Sequence, residues 1–335
     1  MAEDFTWRDG ERLVRFGEGV AAAAPELLAA EGFGDYALLT TDRAAASAPA
    51  LPERAQRVVH VPSGRVDEIS AALLAEVPEG PVVALGGGRV VDAAKAVAGT
   101  RRGRCAAVPT TLSGAEMTPF HRLPAGVDGA RMLRPALVVA DPELMASQPL
   151  TQLAASTMNA LAHGMEALYT PLANPVTELA ALRATALLAA GIRADRPVRD
   201  RLALGAVLAG YASGAAGIAV HHALCQTIVR TAGAPHAETN AVMLPHSAHL
   251  MAGRAPEALG RLATALGTES GDPDAVEPAL AGLAARSGRT RLRTLGVAED
   301  ALPAIASAAT AHPALANTPA RPGEEELLAV LRRAY

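Results

Sequence analysis

The first half of the chain alternates short apolar runs with longer amphipathic ones. Runs rich in aliphatic and β-branched residues lie at 36–41, 57–61, 82–85, 105–108 and 136–140. Helical patterns cover 66–77 and begin again at Val90. Short buried strands that alternate with helices are typical of a parallel sheet covered by helices. The pattern therefore predicts an α/β domain.

The second half has a different pattern. After Asp141-Pro142 the strand signals stop, and long Ala- and Leu-rich helical stretches follow. Proline ends or begins a helix, and the predicted breaks are at Asn174-Pro175, Arg196-Pro197, Ala234-Pro235 and 271–273. A chain of 335 residues is long enough for two domains. We predict an α/β domain over 1–147 and an all-helical domain over 148–335.

Composition excludes several classes of protein. No uninterrupted apolar run reaches the 18 residues of a membrane span, and the start, MAEDFTWRDGER, lacks the basic and apolar regions of a signal peptide. A net charge of −4 with 3% aromatic residues gives no surface suited to nucleic acid. We expect a soluble, cytoplasmic protein with a small-molecule ligand, without a membrane or nucleic-acid partner.

Two rare residue types limit the chemistry. Cys105 and Cys225 are the only cysteines and lie far apart in sequence, so we predict neither a disulfide framework nor a thiol pair for a metal. The chain has 29 arginines and one lysine, Lys95. A single retained lysine suggests a site that requires an ammonium group.

A glycine turn in the first half is the main candidate for ligand binding. In VVALGGGRVVDAAKAVAG, residues 82–99, a buried strand runs through Gly86, Gly87 and Gly88 into a helix. Backbone amides at such a turn can approach a pyrophosphate, and the helix dipole favours the anion. A purely steric turn is the alternative. Asp92 and Lys95 share a helix face, either as a surface ion pair or as part of the site.

Hydroxyl side chains follow the next strand. The segment VPTTLSGAEMT, residues 108–118, places Thr110, Thr111 and Ser113 in a loop after a strand. Ligands of open α/β sheets bind at the carboxyl ends of the strands. We therefore expect these hydroxyls to lie near the glycine turn.

Histidines dominate the polar positions of the helical half. MNALAHGMEALY, residues 158–169, places Asn159 and His163 on one helix face. His221 and His222 lie in a later helix, and His236 opens the next one. A lone helical histidine is more often a packed core group than a ligand, but three on adjacent helices can converge on one point.

Together these motifs, with HHALCQ and APHAETNAVMLPH, resemble the iron-containing (group III) alcohol dehydrogenase superfamily and are most similar to its maleylacetate reductases. The resemblance runs from FGEG, residues 16–19, to the final LLAVLRRAY. It implies a dehydroquinate synthase-like fold, in which a dinucleotide-binding domain precedes a helical domain and the active site lies between them. It also implies NADH or NADPH as cofactor and a homodimer.

The resemblance further implies a set of residues for the chemistry. Family members hold a divalent metal through an Asp and three His, and the matching positions here are Asn159, His163, His222 and His236. Asparagine removes the only anionic ligand, so we expect weak or absent metal binding. If a metal is bound, the three histidines would hold it.

The same exchange is the pattern of maleylacetate reductases, which reduce a conjugated carbon–carbon double bond. Charge that develops on hydride addition then spreads to a distant carbonyl or carboxylate, where hydrogen-bond donors or cationic histidines could replace a metal. By this resemblance, His163, His222 and His236 orient a small anionic substrate and supply a proton.

Three positions bear on the cofactor and the proton path. Arg89 stands where the family usually has Ser, and its guanidinium could pair with the pyrophosphate or crowd it. Gln226 stands in place of a family His near the nicotinamide. Asp42 follows the strand ending in Thr40-Thr41 and could accept a hydrogen bond from the adenosine ribose, which would favour NADH.

Three functions remain open on the sequence. The leading prediction is a metal-independent NAD(P)H-dependent reductase of maleylacetate or a related unsaturated or keto acid. The second is a metal-dependent alcohol dehydrogenase in which the Asn159 amide oxygen coordinates the ion. The third is a family member with a non-redox or ligand-binding role in a specialised pathway, because fold does not fix function.

Overall fold

The computed structural model describes residues 3–335. They form two compact units, one ending at Ser147 and the other running from Gln148 to Tyr335. The first, unit 1, is an α/β unit. The regular secondary structure of the second, unit 2, is helical. The predicted fold class is confirmed. Cys105 and Cys225 are both buried and unbridged.

Unit 1 is built on one seven-stranded sheet. Its strands are β1 (Phe5–Asp9), β2 (Arg12–Phe16), β3 (Ala37–Thr40), β4 (Arg57–His60), β5 (Val82–Gly86), β6 (Cys105–Pro109) and β7 (Leu137–Ala140). Its helices are α1 (Ala24–Ala30), α2 (Asp42–Ser47), α3 (Ala50–Arg54), α4 (Val66–Glu76), α5 (Gly88–Thr100) and α6 (Pro142–Met145). The strand order is β1-β2-β7-β6-β5-β3-β4, and every pair except β1–β2 is parallel.

The antiparallel β1–β2 hairpin was not part of the predicted sheet. Its register runs from Phe5 opposite Phe16 to Asp9 opposite Arg12. Gly10 in the turn has φ of +59°, a left-handed conformation that suits glycine. An Asp-Gly pair between two alternating runs is a known hairpin signal. The hairpin extends the sheet because β2 pairs with β7.

The sheet of unit 1 is covered on both faces, as a buried parallel sheet requires. Successive residues of β5 point to opposite sides. Val83 and Leu85 pack in one core with helices α1 and α3. Val82 and Ala84 pack in the other core with α4 and α5. This double cover fixes the strands, so the loops at their carboxyl ends start from defined positions.

Unit 2 is helical, with helices α7 (Leu150–Glu166), α8 (Pro175–Arg193), α9 (Arg199–Ala216), α10 (Val220–Ala232), α11 (His236–Ala252), α12 (Pro256–Leu266), α13 (Val276–Ala284), α14 (Leu302–Thr310) and α15 (Glu324–Ala334). Short 3-10 turns lie between the later helices, among them Pro313–Asn317. Prolines mark the starts as predicted. Pro175 is the first residue of α8, where Asn174 caps the helix, and Pro235 precedes α11.

Helix α7 is the central element of unit 2. It contacts α8, α9, α10, α11 and α13, and all its residues from Leu153 to Glu166 are buried. The polar side chains between Ser156 and Glu166 therefore lie within the helical packing of unit 2. Because such groups are costly to bury without partners, their contacts report the organisation of the site.

Helix α8 is the one single helix of the described residues whose length and composition would suit a membrane span. More than half of its apolar window, 56%, is buried inside unit 2. A bent pair, Arg199–Ala216 with Val220–Ala232, passes the same test only if a 99° bend is ignored. Burial against neighbouring helices accounts for the apolar composition of α8.

Candidate functional site

A pocket of about 280 Å³ lies in unit 1 where three strands end. The segments that follow β3, β5 and β6 all contribute to it, together with one residue after α6. The lining residues are Thr41, Arg43, Ala44, Ser47, Gly87, Gly88, Arg89, Val90, Thr110, Thr111 and Ser147. Thus Gly87, Gly88, Arg89, Thr110 and Thr111 come together as the sequence predicts.

The three glycines are required by close approach. A Cβ on Gly86 would lie 2.7 Å from a methyl of Val90, and one on Gly87 would lie 2.9 Å from Cγ2 of Thr111. A Cβ on Gly88 would lie 3.0 Å from Cβ of Ser113. The turn is therefore a cradle that side chains would fill.

The cradle fits the diphosphate of a dinucleotide. Helix α5 begins at Gly88 without a side-chain cap. The first amide groups of an α-helix have no carbonyl partner within the helix, and together with the helix dipole they favour an anion. Thr110 donates its N–H to Gly86 O at 2.9 Å, which holds the hydroxyl loop beside the turn.

Lys95 does not line this pocket. Its side chain is fully buried, and Nζ donates to the carbonyls of Ala115, Thr118 and Phe120 at 2.8, 3.2 and 2.6 Å. Asp92 Oδ1 is 2.8 Å from the same Nζ. The ion pair predicted for these two residues exists, but it is not a surface pair. The ammonium joins α5 to the loop after β6, and its contact with cofactor remains a prediction.

Asp42 also lies outside the pocket lining. Its carboxylate pairs with His60 Nδ1 at 2.7 Å, and both side chains are exposed. The neighbouring Arg43 lines the pocket instead and donates to Ser147 Oγ at 3.0 Å. The contact between Asp42 and a ribose stays a prediction, and in this arrangement the carboxylate is paired with His60 instead.

Unit 2 contains a buried cluster of histidines. The rings of His163, on α7, and His222, on α10, stack with centroids 4.4 Å apart. A hydrogen bond of 3.0 Å joins His163 Nδ1 to Ser213 Oγ on α9. Asn159 lies one turn before His163 on α7 and is also buried. The structure therefore brings the predicted helix positions together.

Glu166 holds His222 in place, a role that the sequence patterns did not identify. Its Oε2 lies 2.5 Å from His222 Nδ1, and its Oε1 accepts the N–H groups of His221 and His222 at 2.7 and 3.2 Å. The carboxyl group thus caps the start of α10, where the helix dipole favours negative charge. Its spacing of three from His163, on one face of α7, was the available signal.

A second network positions His236. Asn240 Nδ2 donates to His236 O at 2.8 Å and lies 3.4 Å from His236 Nε2. This orientation leaves Asn240 Oδ1 to accept from His221 Nε2 at 2.8 Å. His221 Nδ1 is then an acceptor for the hydroxyl of Ser247 at 3.1 Å. Hydrogen bonds between α10 and α11 therefore fix the first turn of α11.

The buried imidazoles are neutral near pH 7. Burial, reinforced by His222, places the pKa of His163 well below its usual value. Burial also lowers the pKa of His221 to about 4 and that of His222 to about 3. Burial raises the pKa of Glu166, against the hydrogen bonds that favour its anion. For His163 and His222, burial therefore favours neutral hydrogen bonding over the cationic alternative, and their role stays a prediction.

The donor set lacks the anionic ligand of the divalent metal site that the resemblance implies. Among residues 3–335, no three His, Cys, Asp or Glu side chains are arranged to hold a metal ion. Asn159 contributes no charge. His163 and His222 are hydrogen-bonded through Nδ1, which leaves Nε2 of each ring outside those bonds, as in metal-ligating histidines. A hard or borderline cation prefers an anionic ligand. Among the described residues, His222 Nε2 is buried without a hydrogen-bond partner and can therefore meet a ligand.

Gln226 extends this cluster along α10. It lies one turn after His222, and its Oε1 is 3.2 Å from His312 Nε2. His312 belongs to the segment before the 3-10 turn Pro313–Asn317. Sequence patterns did not identify His312, because nothing local connects it with α10.

Comparison with known proteins agrees with the motifs. The profile described as "Fe-containing alcohol dehydrogenase family, C-terminal" matches residues 153–335, and "Iron-containing alcohol dehydrogenase" matches residues 15–149. The maleylacetate reductase of Sphingobium indicum is 36% identical over 321 residues, which cover 90% of this chain and 89% of that protein. The maleylacetate reductase of Rhizobium sp. strain MTP-10005 is 31% identical over 356 residues, with coverages of 99% and 98%.

A solved structure supports the same relationship. The crystal structure of maleylacetate reductase from Agrobacterium tumefaciens matches with a TM-score of 0.83 at 29% identity, covering 100% of this chain and 99% of that one. The resemblance predicted from the motifs is confirmed. The chain belongs to the iron-containing alcohol dehydrogenase family and is an NAD(P)H-dependent oxidoreductase.

Proposed function

We propose that this enzyme reduces maleylacetate, or a closely related unsaturated or keto acid, without a metal ion. The observation that carries the proposal is the state of His222. Its Nε2 is buried without a hydrogen-bond partner, while Glu166 holds its Nδ1. The relatives named above are maleylacetate reductases, similar over most of the chain. Neutral histidines suit a substrate that spreads the negative charge of the added hydride over its conjugated carbonyl and carboxylate groups.

Neutral side chains of unit 2 bind the substrate in this proposal. Asn159 can donate through its carboxamide, and the imidazoles of His163 and His236 can donate through a ring N–H. Maleylacetate is a dicarboxylate whose double bond is conjugated with a carbonyl. Hydrogen bonds to these oxygens become stronger as negative charge moves onto them, which is the requirement for catalysis.

His222 supplies the proton to the substrate. A bound reduced nicotinamide supplies the hydride, and the substrate must then gain one proton at carbon. Nε2 of His222 is the ring nitrogen without a protein partner, so it is the atom that can donate. Glu166, whose pKa is raised by burial, can pass a proton to Nδ1 as Nε2 loses one. The histidine is then neutral before and after the transfer.

The nucleotide is bound by unit 1. We assign its diphosphate to the cradle formed by Gly86, Gly87 and Gly88 at the start of α5. Thr110, Thr111 and Ser113 lie in the loop beside that turn and offer hydroxyls to the phosphates or riboses. This assignment follows the general placement of ligands at the carboxyl ends of strands.

The test is a reduction assay on metal-analysed protein. We expect loss of nicotinamide absorbance at 340 nm with maleylacetate, in the presence of a chelator and with no bound metal. His222→Ala should lower kcat by a factor of about 10² or more, because it removes the proton donor. His249→Ala is the matched control, since this histidine of α11 is exposed and pairs only with Glu277.

Two results would contradict the proposal in different ways. Chelator-sensitive activity restored by iron or zinc would select a metal-dependent alcohol dehydrogenase that uses Asn159 and the three histidines. Absence of turnover with any unsaturated or keto acid, despite nucleotide binding, would favour a non-redox or ligand-binding role in a specialised pathway.

The proposal includes assembly and location. We infer a cytoplasmic homodimer, as the family resemblance implies, whose partner is a small anionic substrate. Sedimentation equilibrium of the full chain measures the subunit number directly, and a monomeric mass at micromolar concentration would contradict the dimer.

A further inference from the structure

The nucleotide pocket of unit 1 carries positive charge. Among the described residues that line it are Arg43 and Arg89, and no Asp or Glu. The other lining groups are small or hydroxylated. A nucleotide bound there meets two guanidinium groups, which are suited to phosphate because of their planar, bidentate geometry.

Arg43 lies where the adenosine ribose of a dinucleotide is recognised. Strand β3 pairs with β5, the strand that leads into the glycine turn. In dinucleotide-binding sheets, the strand beside the one that leads into the glycine turn ends near the adenosine ribose. The residue that follows this neighbouring strand usually decides between NADH and NADPH. An acidic side chain there accepts from the ribose 2′-hydroxyl of NADH, whereas an arginine accommodates the 2′-phosphate of NADPH.

The acidic residue at this place is directed away from the pocket. Asp42 pairs with His60, and its side chain is 91% exposed. Arg43, the next residue, lines the pocket, and its Nη2 donates to Ser147 Oγ at 3.0 Å. Ser147 thus holds the guanidinium at the rim. Arg89 makes no hydrogen bond or ion pair with any described residue and lies in the first turn of α5.

We propose that Arg43 binds the 2′-phosphate of NADPH and that the enzyme selects NADPH over NADH. Arg89, beside the glycine cradle, contacts the diphosphate that both cofactors share. The inference rests on the proposed use of a nicotinamide nucleotide and adds a phosphate subsite to it. It replaces the preference for NADH that Asp42 suggested in the sequence.

Calorimetric titration of the full chain with NADPH and NADH tests the subsite. We expect NADPH to bind at least tenfold more tightly. Arg43→Ala should weaken NADPH on the order of tenfold to a hundredfold, the size of a charge-assisted hydrogen bond, and change NADH by less than threefold. Arg89→Ala should weaken both cofactors alike. Arg57→Ala is the matched control, since this exposed arginine is at the opposite end of the strands, on β4.

Two fragments separate this inference from the proposed function. Adenosine 2′,5′-bisphosphate carries the 2′-phosphate, and AMP is the same molecule without it. If the bisphosphate binds more tightly than AMP and Arg43→Ala abolishes the difference, the subsite stands even without reductase activity. If NADH and NADPH bind equally, or Arg43→Ala weakens both to the same extent, the subsite is wrong while reductase activity can remain.

Discussion

The imidazole of His312 orients the carboxamide of Gln226. His312 Nδ1 accepts the N–H of Ala314 at 3.2 Å, so Nε2 carries the ring proton and donates to Gln226 Oε1 at 3.2 Å. Gln226 follows His222 by one turn of α10 and shares its face. The amide hydrogens of Gln226 are therefore directed to an acceptor other than His312. An imidazole remains near this part of the cluster although the family histidine is absent.

Removal of His312 should act through Gln226. We expect His312→Ala and Gln226→Ala each to lower kcat/KM by roughly tenfold, about the value of one hydrogen bond. The double variant should be no worse than the more severe single variant, because the two side chains form one unit. A double-mutant cycle on the reductase assay measures this coupling. Strictly additive losses would show that the residues act separately.

Glu166→Gln should affect catalysis much more than folding. The amide oxygen can still accept the backbone N–H groups at the start of α10, so we expect unfolding free energy to fall by only about 1 kcal/mol. The amide nitrogen cannot pass a proton to His222 Nδ1, and kcat should fall by a factor of about 10². Glu178→Gln is the control, because this residue of α8 pairs at the surface with Arg261. Unchanged kcat would exclude Glu166 from proton transfer.

Local patterns predicted the parts of the site that local chemistry determines. Gly87 and Thr111 come together because both follow strands of one parallel sheet, and helix periodicity places Asn159 and His163 on one face of α7. The stacking of His163 on His222 and the capping of α10 by Glu166 required the packing of α7 against α10. Burial, too, is a property of the fold, and it lowers the pKa of His163, His221 and His222.

Lys95 also shows that local sequence patterns do not give tertiary contacts. Its rarity suggested a functional site for Lys95, whereas the partners that the structure gives it are three carbonyls of the loop after β6 and Asp92. Those contacts depend on how the 115–120 segment folds over α5. Composition can identify such a residue, while its role as a structural link requires the tertiary structure.

Lys95→Met should destabilise unit 1. The substitution keeps the side-chain stem but leaves three carbonyls and Asp92 without their ammonium, which should cost about 3 kcal/mol. Asp92→Asn should cost less, because the lysine keeps its carbonyl partners. Urea denaturation followed by the fluorescence of Trp7, the only tryptophan, reports on unit 1. Normal stability with abolished nucleotide binding would instead indicate direct contact between Lys95 and cofactor.

Glu116 should make the stability of unit 1 depend on pH. Both of its carboxyl oxygens are buried without hydrogen-bond partners, and burial raises its pKa from 4.5 to about 7. The folded state therefore holds this proton more tightly than the unfolded state. The contribution of Glu116 to stability is greatest below pH 4.5 and falls by about 3 kcal/mol as pH rises to 7, where Glu116 ionises.

Glu116→Gln removes this titration. Relative to the native protein, we expect the variant to gain roughly 2 to 3 kcal/mol in unfolding free energy between pH 5 and pH 8. Urea denaturation at each pH, followed by Trp7 fluorescence, measures the unfolding free energy of both proteins. Parallel pH profiles for the two proteins would show that Glu116 is ionised throughout.

Gly87→Ala should close the nucleotide cradle. The new Cβ would lie 2.9 Å from Thr111 Cγ2, so the loop after β6 must shift or the pocket must narrow. We expect NADPH and NADH to bind at least tenfold more weakly, measured by calorimetry, with α5 still formed. Thr111→Ser removes that methyl and leaves Oγ at 3.3 Å, so adding it to Gly87→Ala should restore part of the affinity. Thr111→Ser alone should change affinity little.

If the double variant binds no better than Gly87→Ala, the close contact between Gly87 and Thr111 does not determine binding, and the diphosphate lies elsewhere.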